Sequence, residues 1–371
     1  MSPFGFYGGI LFYAVPQLLA ARHIPEERIA SLTGLLILPG VLSFLVAPIL
    51  DVRFSRRWYA TVCCALATAA LAVGLFAAAL GGWLASVIPS DRRPTLSSWL
   101  NVANIGAGGL MAFLSVRLIR HFSLLLAVGL LACILLAPIT IFLLIPAPGP
   151  DRRLARESFS GLLRAISSLF RRSEVILVLL LLALPSSSFT LTNILGGLGG
   201  DFHTPERTVS LINGVGVTFA GIAASLLGGP LCAHVPLRRL YLSIGIVGGL
   251  FTLSLLFLPH NPAAFTVATL GQNAFQALAF TVSTALALRT VGHGNALVAT
   301  EYSILTCATN LPLFYMQFID SHAYTLHGLA GAFSTDAGIF IAVCMFLLGL
   351  LAWLRMRSPS QVEAIALEAT D

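Results

Sequence analysis

The sequence predicts an all-α protein that crosses a membrane many times. Of its 371 residues, 57% are hydrophobic and only 10% are charged, whereas about 25% of the residues in a typical soluble domain are charged. The hydrophobic residues form continuous runs along the chain. Many of these runs reach the roughly 20 residues that a helix needs to cross a bilayer. Composition and run length together therefore predict a bundle of transmembrane helices.

Eleven apolar runs are predicted to be spans. They cover residues 3–20, 29–50, 59–80, 96–117, 122–146, 174–198, 207–232, 240–258, 262–288, 295–317 and 334–355. After the fifth run, a Pro/Gly turn leads into an Arg-rich segment that is predicted to be an amphipathic helix on the cytoplasmic surface. Its apolar positions recur at helical spacing and are Leu162, Leu163, Ile166 and Leu169. The predicted domains are an N-terminal bundle at 1–146, this linker at 147–173, a C-terminal bundle at 174–357 and a cytoplasmic tail at 358–371.

The charges predict the orientation and narrow the chemistry. All 21 basic residues are Arg, and the formal net charge is +6. In a twelve-span arrangement 16 of them lie on the cytoplasmic side and five outside, as positive-inside orientation requires, so no nucleic-acid partner is needed to explain the charge. The absence of Lys excludes a Walker A site, a pyridoxal Schiff base and retinal attachment. The six cysteines lack metal-ligand spacing, so they are interpreted as packing residues, and no metal or cofactor is predicted.

The chain repeats itself at a distance of about half its length. HIPEERIASL at 23–32 is echoed by HTPERTVSL at 203–211. FLVAPILDVRFSRRWY at 44–59 aligns with LLGGPLCAHVPLRRLY at 226–241, matching a leucine, a proline, two arginines and a tyrosine. Two echoes in the same order predict two homologous halves, as in transporters built from parallel repeats. The alternative is that short loops with Pro and Arg recur by chance between apolar helices.

Three stretches resemble a known family. PFGFYGGILFYAVPQLL at the N-terminus, FLVAPILDVRFSRR at 44–57 and ATEYSILTCATNLP at 299–312 resemble the AmpG-like branch of the major facilitator superfamily, which includes muropeptide permeases and is related to acetyl-CoA transporters. The resemblance extends over nearly the whole chain. This chain has Ala47, Ser43 and Glu301 where the family often has Gly, Lys and Gln.

The resemblance implies a secondary active transporter rather than an enzyme. It implies two helical bundles around a central cavity, proton-coupled import of a muropeptide-like solute by alternating access, and a monomer in the bacterial inner membrane. The partners implied are a small-molecule substrate, protons and the lipid bilayer, with no nucleic acid. The alternatives are a drug or metabolite exporter of the same superfamily and a non-transporting relic or sensor. An intramembrane enzyme is the rival class, but the H-E-x-x-H, G-x-G-D and G-x-S-x-G motifs do not occur.

The first half is shorter than the second. From the repeated loop onward it runs over 59–146, 88 residues, against 115 residues over 241–355. The shortage equals about one span plus a turn and is located at 59–89. An odd number of spans would invert one half against the positive-inside bias. We therefore predict one long or bent helix, or a stunted hairpin, at 59–89 in place of two full helices.

Polar side chains inside the predicted spans are the candidate substrate and coupling residues, because a bilayer tolerates them only for a reason. Glu301 either faces a cavity and exchanges protons or is solvated at the headgroups; if it is a bystander, Asp51 or Asp320 is the next coupling candidate. The amides either bind a solute or bond between helices. The candidate amides are Asn101, Asn104, Gln272, Asn273, Gln276, Asn193 and Asn213.

The loop after the second span is a candidate cytoplasmic gate. It carries Asp51, Arg53, Arg56 and Arg57. By the superfamily resemblance, the acid meets a helix N-terminus or a basic residue and the arginines reach acids or lipid phosphates. The alternative is an ordinary positive-inside loop, which explains the arginines but not the acid.

Overall fold

The computed structural model describes residues 2–10, 42–45, 47–51, 56–65, 70–137, 169–291 and 298–357, together with the single residues 19, 28, 32, 35, 38, 140 and 167. Throughout these residues the regular elements are helical, as predicted. The α-helices are α1 (Ser2–Gly9), α2 (Arg56–Ala65), α3 (Ala70–Val87), α4 (Arg93–His121), α5 (Leu124–Leu136), α6 (Ser173–Ala183), α7 (Thr192–Leu195), α8 (Glu206–His234), α9 (Leu237–Ser254), α10 (Pro262–Thr290) and α11 (Val298–Arg357).

Four of the described helical stretches are long and apolar enough to cross a bilayer. They are Ser90–Ile119, Glu206–His234, Leu237–Phe257 and Val298–Leu354. α10 has 29 residues, enough to span, but carries three amides in its GQNAFQ segment. The protein is a multi-pass membrane protein. The total of eleven spans includes runs outside the described residues, so it remains a prediction, as do the domain boundaries.

α11 is a hairpin of two helices. It has 60 residues, and a straight helix of that length would measure about 90 Å, three times the hydrocarbon thickness. The helix breaks at His327 (φ −136°, ψ 16°) and Gly328 (φ 60°, ψ −150°). The angles of Gly328 are almost confined to glycine, because a Cβ would clash with the backbone. The two arms, 298–326 and 329–357, correspond to the last two predicted spans.

α10 begins where its sequence predicts a helix start. Asn261 precedes the first turn, and its side-chain oxygen accepts a hydrogen bond from the backbone N–H of Ala264 at 2.8 Å. Pro262 follows at the first helical position, where its missing N–H leaves no intrahelical bond unmade. This start fixes the register that turns the amides of α10 toward the interior.

The sixth predicted span is interrupted. α6 ends at Ala183, and Leu184 is extended, with φ −88° and ψ 150°. Pro185 explains the interruption, because a proline disfavours helical angles at the residue before it and has no N–H to donate. Helix returns only at α7. The prediction of an unbroken helix over 174–198 is therefore wrong.

Residues 56–87 contain two helices in contact with each other, α2 and α3. The described part of α2 has 10 residues, about 15 Å of helix. Ala60 and Cys63 of α2 lie in one buried cluster with Phe76 and Ala79 of α3. Of the two arrangements predicted for 59–89, the described residues favour a hairpin, and its shortening remains a prediction.

Close contacts join the N-terminal part of the chain to the C-terminal part. α4 lies against α8 and α10, and α3 lies against α11. A Cβ on Gly109 of α4 would overlap Thr218 of α8, and one on Gly82 of α3 would overlap the backbone of Ala299 in α11. Glycine at these positions lets the helices approach closely, as is usual in membrane bundles.

The predicted linker helix lies mostly outside the described residues. Of its four apolar positions only Leu169 is described, and it is buried. Arg172, the residue immediately before α6, belongs to the same segment and is described below.

Candidate functional site

The interruption after α6 places three consecutive serines in the interior. Ser186, Ser187 and Ser188 are buried and lie outside any helix, so neighbouring elements must satisfy their polar groups. The Ser187 hydroxyl donates to the carbonyl oxygen of Tyr241 at 2.9 Å. The Cys344 thiol donates to the carbonyl oxygen of Ser186 at 3.2 Å. α9 and the second arm of α11 therefore hold the interruption in place.

Two glycines of α9 allow this close approach. A Cβ on Gly245 would overlap the carbonyl oxygen of Ser186, and one on Gly248 would overlap the ring of Phe189. Phe189 has the left-handed φ of 51° and its ring is fully buried against Phe275 and Phe340. The interruption is thus a packed, specific structure.

Gln276 is the predicted amide that reaches the interruption. Its Nε2 donates to the carbonyl oxygen of Phe189 at 3.1 Å and to the hydroxyl of Thr192 at 2.7 Å. The carbonyl oxygen of Phe189 also accepts from the backbone N–H of Thr192 at 3.3 Å and from its hydroxyl at 2.9 Å, so Gln276 adds a bond from α10 to this turn. Gln276 therefore ties α10 to the broken helix.

Gln276 also lines a small cavity beside the interruption. The empty space, including solvent at the mouth, is about 210 Å³. The lining combines hydroxyl and amide groups with apolar surface, and no charged side chain of the described residues takes part. The other lining residues are Ser187, Ser188, Tyr241, Ala279, Phe280, Ser283, Thr309 and Leu313. Such a lining suits a neutral solute that carries hydroxyl groups.

The other two amides of α10 bond within the C-terminal part. Gln272 is fully buried, and its Nε2 donates to the hydroxyl of Thr252 in α9 at 2.6 Å. Asn273 donates to the carbonyl oxygen of Thr269, one turn earlier, at 2.8 Å. Neither residue lines the cavity.

Asn193 and Asn213 stabilise the broken helix. The Nδ2 group of Asn193 donates to Gln317 Oε1, in the first arm of α11, at 3.2 Å. The Nδ2 group of Asn213 donates to the carbonyl oxygen of Gly196 at 3.2 Å. These contacts are of the kind that hold helices together.

Asn101 connects the two parts of the chain. Its Nδ2 group lies 2.8 Å from Ser225 Oγ in α8, 2.7 Å from the Ala277 carbonyl oxygen and 3.1 Å from Thr281 Oγ1 in α10. Asn104, one turn later, is half-buried, and its backbone carbonyl lies against Gly5 of α1. The structure therefore does not bring Asn101 and Asn104 together with the amides of α10 in one cavity.

Glu301 forms an ion pair. Its side chain is 1% exposed, and its Oε1 accepts a hydrogen bond from Arg172 Nη1 at 2.8 Å; the Arg172 side chain is 39% exposed. Arg172 also donates to the carbonyl oxygen of Thr290, at the end of α10, at 3.3 Å. Both interpretations made from the sequence, a free cavity acid and a solvated headgroup acid, lacked this partner. The pair joins the starts of α6 and α11 to the end of α10.

Arg93 makes a contact that the sequence did not predict. It is buried, and its guanidinium donates to the carbonyl oxygens of Ala85, at 2.8 Å, and Leu288. A cation suits the carbonyl-rich C-terminal end of a helix, and Leu288 lies in the last turn of α10. The neighbouring Arg92 is exposed, and nothing in the sequence distinguishes the two arginines.

Solved structures of transporters have the same architecture. The human organic anion transporter MFSD10 matches with a TM-score of 0.64 and 16% identity, over 93% of this chain and 96% of that chain. The proton:xylose symporter XylE of the major facilitator superfamily matches with a TM-score of 0.66 and 14% identity, over 96% and 94%. The nucleoside transporter NupG matches with a TM-score of 0.61 and 13% identity, over 94% and 96%. The chain has the major facilitator fold.

This fold was predicted from the sequence, with its two pseudo-symmetric helical bundles. No protein-family model and no curated protein matches the chain. At identities of 13–16% the solved structures establish the fold alone. The AmpG-like branch therefore rests on the sequence stretches that resemble it.

The predicted gate of the major facilitator fold is described only in part. Asp51 ends a 3-10 turn at Ala47–Asp51, and α2 begins at Arg56. Arg53 lies outside the described residues, and the structure describes Asp51, Arg56 and Arg57 through their backbones only. The role of this loop as a gate remains a prediction.

Proposed function

We propose that the protein is a secondary active transporter that moves a small polar solute across the membrane by alternating access. The observation that carries this proposal is the cavity at the interrupted helix, lined by Gln276, Ser187 and Thr309. Transporters commonly bind substrate at discontinuous helices, where the backbone and polar side chains face a cavity rather than lipid. The major facilitator fold supports the same function.

The lining favours a solute that is neutral where it is bound. Hydroxyl and amide groups can donate to and accept from sugar hydroxyls, and Tyr241 and Phe280 supply apolar surface. In this conformation the space open to a bound molecule is about 10 Å³, room for about one water molecule, so the cavity must widen before a sugar ring can enter. We propose that it holds the sugar end of a muropeptide-like solute, in keeping with the AmpG-like resemblance.

The contacts between the two parts indicate which side is closed. Arg93 meets the end of α10, and Gly82 meets Ala299, at the end of the molecule predicted to be cytoplasmic. At the same end, a Cβ on Gly81 would overlap the buried ring of Tyr302. We infer that this conformation is closed to the cytoplasm.

The driving force in this proposal is the proton gradient, with import as the direction. Uptake of radiolabelled muropeptide, hexose and acetyl-CoA into proteoliposomes, with and without an imposed pH gradient, tests both points. We expect accumulation of the sugar-containing solute that collapses when a protonophore is added. Outward movement of unrelated drugs without muropeptide uptake would favour the exporter, and no movement of any solute would favour a relic or sensor.

Gln276→Ala tests the cavity itself. Removing the amide takes away a group that faces the cavity, together with its bonds to Phe189 and Thr192, so we expect uptake to fall at least tenfold, corresponding to about 1.4 kcal/mol or more. The control is Thr266→Ala on the same helix, whose hydroxyl donates to the Pro262 carbonyl oxygen and which is not among the residues that line the cavity. Equal uptake in the two variants would show that the cavity is not the substrate site.

A further inference from the structure

Two aspartates face each other inside the hairpin of α11. Asp320 lies in the first arm and Asp336 in the second, and both are completely buried. The two carboxyl groups are within hydrogen-bonding reach of each other. Each lies eight residues from Gly328, which places the pair about 12 Å along the arms from the turn. The hairpin therefore brings together two acids that are 16 positions apart in the sequence.

The pair has no donor among the described residues. If both groups are carboxylates, none of the four oxygens has a hydrogen-bond partner, because a carboxylate only accepts. Two buried negative charges at this distance also repel each other strongly. A proton on one carboxyl group removes both problems, since it supplies the donor and lowers the charge. The geometry thus requires at least one bound proton.

Other carboxyl groups of the C-terminal part are paired differently. Asp201 accepts a hydrogen bond from the Tyr324 hydroxyl at 2.7 Å, and Glu301 holds Arg172. Among the described residues, Asp336 is the charged group that interacts directly with Asp320, and Asp320 is the one that interacts directly with Asp336.

The histidines near the hairpin are exposed or contact other side chains. His322 and His327 of the hairpin itself are exposed, and His260 contacts Phe202. Within the described residues, the pair is therefore set apart as two acids that lack a cation or a donor.

A chain of polar side chains links the pair to the cavity. Gln317 lies one helical turn before Asp320, on the same face of the helix. Gln317 accepts the hydrogen bond of Asn193, and the preceding residue, Thr192, bonds to Gln276. The state of the acid pair can therefore reach the broken helix through direct contacts.

We propose that Asp320 and Asp336 form a proton-binding site in the half of the hairpin that is nearer its turn. One proton binds between the two carboxylates and lowers the charge of the pair from two negative charges to one; a second proton makes it neutral. Loss of the protons leaves two buried charges that favour separation of the arms. A role of the pair in coupling transport to protons rests on the proposed function, whereas proton binding by the pair does not.

Infrared spectroscopy of the purified protein in nanodiscs tests the site without any substrate. The C=O stretch of a protonated carboxyl group is separate from that of a carboxylate and shifts in D2O. We expect the wild type to show this band near neutral pH and to lose it as the pH is raised. We expect Asp320→Asn and Asp336→Asn each to lower the band to about half or less, and the double variant to remove it.

Asp201→Asn is the matched control, since it removes one carboxyl group that already has a donor. We expect it to keep the full band. The single variants should fold, because an asparagine amide donates to the remaining carboxylate in place of the proton. If the double variant is unstable, the two single variants are sufficient for the test. A band that persists in both single variants at wild-type intensity, or that Asp201→Asn removes equally, would overturn the site.

The same variants separate this proposal from the proposed function. In proteoliposomes, we expect Asp336→Asn to lose pH-driven accumulation of the transported sugar-peptide at least tenfold and to keep its exchange. If the band depends on the pair but no solute is ever transported, the proposed function fails and the proton site stands. If accumulation is normal in a variant that lacks the band, the coupling role fails.

Discussion

At the scale of single residues, Glu301 and Arg172 form an ion pair in which each charge is balanced by the other. Oε1 of Glu301 lies 2.8 Å from Arg172 Nη1, with the acid 1% and the arginine 39% exposed. Taking up a proton at Glu301 would neutralise the acid, break this pair and leave Arg172 without its counter-charge. The pair is therefore a structural clamp in this conformation, and coupling by Glu301 needs a second conformation in which the pair is open.

Glu301→Gln distinguishes the clamp from the coupling group. Breaking a buried pair from one side costs about 3–5 kcal/mol, and because Arg172 is partly exposed, we expect a loss of about 1–3 kcal/mol in the free energy of unfolding. Thermal unfolding in detergent measures the loss. Arg172→Gln and the double variant complete a double-mutant cycle, in which a clamp gives losses that do not add.

Transport by the same variant tests the coupling hypothesis. If Glu301 carries the proton, Glu301→Gln abolishes gradient-driven accumulation and leaves counterflow intact, because exchange needs no net proton movement. Unchanged accumulation at every pH would show that Glu301 acts only through Arg172.

At this scale the sequence identified polar residues but not their partners. Gln276, Asn193 and Gln272 stood out because amides are rare in spans, and all three are bonded to other segments. Asp336 lies only two positions inside the predicted span 334–355, and Arg93 lies outside the predicted spans. Their roles depend on which helices meet, and that is decided by packing between residues far apart in the chain.

At the scale of elements, the turn of the α11 hairpin depends on Gly328. Its φ of 60° and ψ of −150° cost an L-residue about 1–3 kcal/mol. Gly328→Ala is therefore expected to lower the unfolding midpoint by several degrees in a thermal melt. Gly338→Ala in the second arm is the control, because a Cβ there meets nothing within 4 Å and alanine favours a helix. Equal midpoints for the two variants would mean that the turn tolerates a side chain.

Helix positions were the most predictable feature at this scale. The predicted spans at 207–232 and 262–288 correspond to α8 and α10, because apolar run length is set by the bilayer. The break after Ala183 was missed, although Pro185 and three serines follow it directly. The span was predicted from the length of the apolar run, which a single proline does not change, whereas that proline does interrupt the helix.

At the scale of the whole molecule, the fold was predicted from the repeat, the spans and the resemblance to the major facilitator superfamily. Two halves of similar pattern and positive-inside loops leave few arrangements, and the solved transporters share the resulting architecture. The conformation could not be predicted in the same way. It depends on contacts between the parts, such as Arg93 with Leu288, which the proposed transport cycle would form and break.

Arg93→Ala tests whether this contact holds the cytoplasmic side closed. The substitution removes charged donors to the carbonyl oxygens of Ala85 and Leu288. Each such bond contributes about 1.5–3 kcal/mol, so the ratio of closed to open molecules should fall about tenfold or more. Spin labels at Ser90 and Arg289, both exposed near this contact, report the distance by pulsed electron resonance in nanodiscs.

We expect a short distance in the wild type and an added longer distance in Arg93→Ala. Arg92→Ala is the control, because it removes an adjacent arginine whose side chain is exposed; it should keep the wild-type distribution. An unchanged distribution in Arg93→Ala would assign closure to the glycine contacts of α3 with α11 instead. In that case a larger side chain at Gly82, where a Cβ would overlap Ala299, should open the cytoplasmic side.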